Sequence, residues 1–113
     1  MVDVKDFIGK SKNELLVVAE TLVNEISFLK SELEKFTLLM KELELKLKIE
    51  IDGEVDENGK KVYSNADKRE LEYLNRIRKN EEYNKCNDTY IELWKKLKIY
   101  ELYKDYIEGE LKK

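Results

Sequence analysis

The sequence contains no histidine, no proline, a single cysteine and four glycines. Without histidine the commonest general base and the commonest metal ligand are both missing, which argues against a metalloenzyme. A lone cysteine, Cys86, cannot close a disulfide within the chain. No uninterrupted apolar run is long enough to span a bilayer, and the opening stretch MVDVKDFIGKSKNE mixes acids with lysines and lacks the apolar core of a signal peptide. The expectation is a cytoplasmic protein with no membrane partner and no cofactor.

What is present is charge and apolar surface in equal share, each 42% of 113 residues. With so few helix breakers, that balance fits long amphipathic helices better than a sheet or a disordered chain. The fold class expected is all-α, as one helical domain over residues 1–113. Its core is small unless copies associate. Net charge is −3 but unevenly placed: residues 11–59 carry −6 and residues 60–79 carry +4. Such asymmetry marks either a partner-binding face or segments that pair within the molecule.

Leu15, Ala19, Leu22, Ile26, Leu29, Leu33, Phe36, Met40, Leu43 and Leu47 alternate in steps of four and three, a sustained heptad seam. Ser11 and Glu14 form a capping-box pair just before it. A helix is therefore expected over 12–48, about 55 Å long at 1.5 Å per residue. Leu16, Val18, Val23 and Leu39 flank the seam and widen the stripe, which predicts packing by more than one neighbour. The seam is also the expected contact for a homo-oligomer.

From Leu43 the text alternates as well, and the β-branched Ile49 and Ile51 before Gly53 predict an extended segment. Asn58-Gly59 is a type I′ hairpin signature that would set Val55 opposite Val62. A short β-hairpin is thus expected over 51–63. Ser64 with Asp67 is a second capping pair, predicting a helix over 65–79 whose apolar face is Leu71, Leu74 and Ile77. Asn80 followed by Glu81 and Glu82 reads as a fresh N-cap after a break, and a last helix follows over 81–111. Its seam is Tyr83, Cys86, Tyr90, Leu93, Leu97, Tyr100, Ile107 and Leu111, with Lys104 the one polar member and Trp94, Tyr103 and Tyr106 alongside. The elements assemble as an antiparallel helical hairpin or coiled coil. Large rings facing leucines are ordinary complementary packing, set here against the other reading, a base-stacking platform.

Motifs for catalysis are scarce. Glu54-Val55-Asp56-Glu57-Asn58-Gly59 approaches a calcium loop, but its first position is Glu and its twelfth falls on Asn65, where a bidentate Glu is needed. A hairpin turn accounts for it better. No carboxylate pair stands out, no glycine-rich phosphate loop occurs, and Cys86 has no histidine to activate it. A non-enzymatic protein is expected.

Lys60, Lys61, Lys68, Arg69, Arg76, Arg78 and Lys79, interleaved with Tyr63 and Tyr73, form the candidate binding segment. Cations along a groove hold phosphates and exposed rings stack unpaired bases, so single-stranded nucleic acid is a possible partner. The competing reading pairs Lys68 and Arg69 with Glu72 and its neighbours, or with the acidic end of the first helix.

The run YSNADKRELEYL, followed by KNEEYNK and a charged aromatic helix, resembles small proteins of phages and prophages. Those carry a hairpin tip ending in Tyr-Ser/Thr-Asn, then an Asn/Glu/Lys-Arg run and an acidic break like Asp-Pro-Glu-Tyr. The matching residues are Tyr63, Ser64, Asn65, Lys68, Arg69 and the segment from Asn80 to Tyr83; the resemblance covers about half the chain, and the proline of the break is missing. The resemblance implies an antiparallel helical hairpin of an early or recombination-linked phage region, acting in the host cytoplasm, with no catalytic residues to carry over. The reading it supports is a coiled-coil interaction protein that self-associates and binds a protein partner, for example to inhibit a host defence or nuclease factor. The alternative is a nucleic-acid-binding or recombination accessory protein using residues 60–79.

Overall fold

A computed structural model describes all residues, 1–113. Three helices form it: α1 (Lys12–Gly53), α2 (Ala66–Lys79) and α3 (Glu81–Leu111), preceded by a 3₁₀ turn at Val4–Asp6. There are no β-strands, so the all-helical class holds. None of the helices is long and apolar enough to cross a membrane. Tertiary contacts gather into two units, Met1–Glu34 with Ile91–Lys113, and Lys35–Tyr90.

The first unit holds most of the buried core. At its entrance Ser11 Oγ accepts from Glu14 N–H and Glu14 Oε1 accepts from Ser11 N–H, both at 3.3 Å, the expected capping box. The bonds from Ser11 hold the Glu14 carboxyl below its usual range. Leu15, Leu22, Ile26, Leu29 and Leu33 of α1 are buried together with Leu97, Tyr100 and Ile107 of α3. The two helices run antiparallel: Lys12 Nζ donates to the Lys113 carbonyl, while Ile26 and Lys104 line one groove further along. Val2 and Phe7 close this core from the N-terminal segment. The Phe7 ring lies 5.0 Å from that of Tyr103 and 5.5 Å from that of Tyr106, so the tyrosines beside the α3 seam serve packing.

That burial corrects one expectation. Leu15, Leu22, Ile26, Leu29 and Leu33 are covered by the chain's own α3 and N-terminal segment, and have no surface left for a second copy. Phe36, Met40 and Leu43, in the second unit, are half-buried there. Of the flanking residues, Leu16, Val23 and Leu39 stay exposed, so the wider stripe is not filled by further helices of this chain.

In the second unit α1 runs on to Gly53 instead of yielding to a strand after Lys48. The reason is a choice between two faces. As helix, Ile51 falls four residues after Leu47 and is 1% exposed, while Ile49 points away at 72%. The heptad period therefore outlasts the alternating one.

The expected β-hairpin reduces to a single antiparallel bridge, Val55 with Lys61, one residue out of the Val55–Val62 register. The turn holds three residues: Asp56 N–H donates to the Lys60 carbonyl at 2.7 Å and Gly59 N–H to the Asp56 carbonyl at 3.0 Å. Gly59 alone takes positive φ, +76°, so the type I′ geometry, which needs Asn58 there too, is absent. Asp56 Oδ1 fixes the turn by accepting from Asn58 N–H at 2.9 Å and Lys60 N–H at 3.0 Å. With Val55 and Val62 both exposed, no buried face exists to extend the ladder.

Asn65, and not Ser64, caps α2: its Oδ1 accepts from Lys68 N–H at 2.9 Å. Asn80 ends α2 in an extended conformation and starts α3, its Oδ1 accepting from Tyr83 N–H at 2.8 Å. The break at Asn80 is therefore present without a proline. The inward face of α2 differs from the one expected. Arg69, Tyr73, Arg76 and Ile77 are half-buried, whereas Leu71 is 70% exposed and Leu74 also faces solvent.

Core weight is thus concentrated in the first unit. Leu29→Ala, at a fully enclosed position, is expected to lower unfolding free energy by about 2–5 kcal/mol. Leu43→Ala, at a half-buried one, should cost clearly less by the same urea titration.

Candidate interaction surface

The candidate residues of the basic segment all lie in the second unit, and the fold divides them. Arg76 is the centre of the inward set. Its Nε donates to Glu72 Oε1 at 2.7 Å and its guanidinium nitrogen Nη2 to Glu54 Oε1 at 2.8 Å. The guanidinium also stands 5.8 Å from the centre of the Tyr63 ring. These carboxylates, Glu72 first and Glu54 next, hold Arg76 above its already high range, so it stays charged. One residue therefore ties α2 to the loop that delivers it.

Arg69 supports the same return, its Nη1 donating to the Tyr63 carbonyl at 3.3 Å. Tyr63 is half-buried, with Arg76 over one face of its ring. Lys61 reaches Asp52 at 3.4 Å, a pair more than half exposed on both sides and worth little to stability. Pairing with acids within the molecule thus accounts for Arg76 and Lys61, whereas Arg69 bonds a backbone carbonyl and Lys68 is in no ion pair.

Lys60, Lys68, Arg78 and Lys79 are different. All four are exposed, and none is engaged in an ion pair. Lys68, Arg78 and Lys79 share the outward side of α2 with Leu71, Leu74 and Asn75, because positions 68, 71, 75 and 78 recur at helical spacing. Arg78 and Lys79 also sit in the last turn, where cations complement the helix dipole.

Behind α2 lies a polar cluster that the heptad reading passed over. Tyr83 Oη donates to Glu44 Oε1 at 3.2 Å, and Lys48 Nζ lies 4.8 Å from the centre of the Tyr73 ring. Partial burial first, and then the Glu44 charge, push the hydroxyls of Tyr73 and Tyr83 above the usual tyrosine range. A projection at 3.6 residues per turn places Glu44 beside Met40, Leu43 and Leu47, which was the available signal. For Glu54 no such signal exists, since its position depends on the loop.

A groove of about 370 Å³ runs beside this cluster, lined by Lys48, Ile51, Asp52, Ala66, Arg69, Glu70 and Tyr73. It brings two cations and two acids together without a nucleophile and base in contact. No group of three or more Cys, Asp or Glu residues is placed to hold a metal ion. Asp56, the central residue of the near-calcium loop, has its Oδ1 turned onto its own backbone. Cys86 is a free, half-buried thiol.

The division of the basic residues has a measurable consequence. Arg76→Ala, which removes two charge-assisted bonds from a partly buried site, is expected to cost about 1–2 kcal/mol. Lys68→Ala should stay within about 0.5 kcal/mol of the unaltered protein. Equal losses in thermal or urea unfolding would contradict the division.

Compared with protein-family models, curated proteins and solved structures, the chain matches none.

Proposed function

We propose that this chain is a non-enzymatic, phage-type helical interaction protein that self-associates and binds a protein partner, with inhibition of a host defence or nuclease factor as the role that fits its size and acidity. The observation that carries the reading is the apolar surface on the outside of α1. Leu16, Val17, Val23 and Phe28 in the first unit, and Leu38, Leu45 and Ile49 in the second, are exposed although the inner seam is already covered. Single exposed apolar residues are normal on a protein surface, but several gathered on the uncovered side of one helix support a contact. The phage attribution rests on the resemblance of residues 63–83.

Light scattering over a concentration series is expected to show mass rising above 13.5 kDa. A monomer at every concentration removes self-association. Capture from host extract, with and without nuclease treatment, then separates a protein target from bridging by nucleic acid.

The second reading, a single-strand nucleic-acid binder, is favoured by the four unpaired cations Lys60, Lys68, Arg78 and Lys79. If all four meet phosphates, the logarithm of affinity should fall with the logarithm of salt at a slope of about −3. Lys68→Ala with Arg78→Ala should roughly halve that slope, about 0.7 per lost contact. No shift of a labelled single strand at low salt ends this reading.

A further inference from the structure

We propose that copies of this chain join by laying the outward face of α2 against the first half of α1 in a second copy. The inference rests on the self-association reading and names its surface. The α2 face is apolar in the middle with cations at its edges, and the α1 face carries apolar and small residues with acids, so their charges are opposite.

On α1 the exposed stripe is Leu16, Glu20, Val23, Ser27, Ser31 and Glu34, spaced by four or three along one flank of the buried seam, with Val23 and Ser27 beside Lys104 of α3. Leu16 and Val23 are exposed, and Phe28 borders the stripe at 60% exposure. Residues 13–34 carry five acids and one lysine. Glu20 and Glu34 form no ion pair within their own chain. On α2 the face is Lys68, Leu71, Leu74, Arg78 and Lys79, with Asn75 between them. Its three cations are equally unpaired, because the inward positions of α2 carry Arg69 and Arg76, whose bonds are already made.

The lengths agree. Glu20 to Glu34 spans about 21 Å of helix and Lys68 to Lys79 about 16 Å at 1.5 Å per residue, a difference that long lysine and arginine side chains cover. Between the two glutamates Ser27 and Ser31 offer small side chains, where Leu71 and Leu74 can approach the helix closely. The remaining charges are also opposite: Lys30 beside the α1 stripe, Asp67 and Glu70 on the exposed side of α2. Charges so arranged set register and partner choice, while the leucines supply the area removed from water.

The test uses the full, nuclease-treated chain in sedimentation or light scattering. Variant one is Lys68→Glu with Arg78→Glu and Lys79→Glu; variant two is Glu20→Lys with Glu34→Lys. Each alone is expected to associate at least about tenfold more weakly, and an equal mixture to recover association, since the charges are again complementary. Circular dichroism checks that both variants keep their helices. Leu71→Gln, a single surface change, should weaken association while leaving the melting temperature unchanged at dilutions where the unaltered protein is itself dissociated. An unaltered protein that is monomeric throughout overturns the self-association reading itself. Association that survives both charge reversals and Leu71→Gln overturns this surface alone.

Discussion

A helix of 42 residues with one continuous apolar seam needs a cover, and how this chain supplies it determines the rest of the structure. Single amphipathic helices owe most of their stability to tertiary packing, so an uncovered α1 would be marginal. The chain folds back and presents α3, whose Leu97, Tyr100 and Ile107 complete the core with Leu22 and Leu29. The reversal at residues 54–65 then becomes indispensable, and Arg76 is the residue that clasps it through Glu54 and Glu72. Once the seam is closed internally, apolar surface left on α1 is available for something other than folding.

The helices were legible in the sequence because their signals are local and periodic. The seam from Leu15 to Leu33, the Ser11–Glu14 box and the Asn80 start each depend on residues within one or two turns of each other. Where two local signals competed, burial decided. Ile51 could be hidden only by helix, so the alternation from Leu43 to Ile51 gave way. Asn58-Gly59 was read as a two-residue turn, but with both valines in water nothing enforced that register, and Asp56 held a three-residue turn instead.

The binding segment was legible as a cluster of cations but not as two faces. Which of Lys61, Arg69 and Arg76 turn inward depends on Asp52, Tyr63 and Glu54, groups brought near only by the chain reversal. Apart from Ile77, the inward face of α2 is hidden from the sequence for the same reason. Counting hydrophobic residues favoured Leu71, yet the half-buried positions went to Arg69, Tyr73 and Arg76, whose long side chains have aromatic and charged partners there. A helix that meets a polar neighbour can turn its leucines to water, and sequence periodicity alone does not reveal it.

Asn80 joins α2 to α3 with a single residue, and both helices use it: its N–H closes the last turn of α2 on Ile77, and its side chain opens α3 at Tyr83. So short a joint works like the phase setting of two coupled gears. Adding or removing one helical residue on the α2 side would turn that helix by about 100° about its axis relative to α3. Arg76 would leave Glu54, keeping only Glu72 of its own helix, and a different set of side chains would face the solvent. The spacing between Arg76 and Asn80 therefore couples the clasp to the outer surface, so that a change of length at this point alters fold and contact together, whereas a change of residue type on the outside leaves the phase intact.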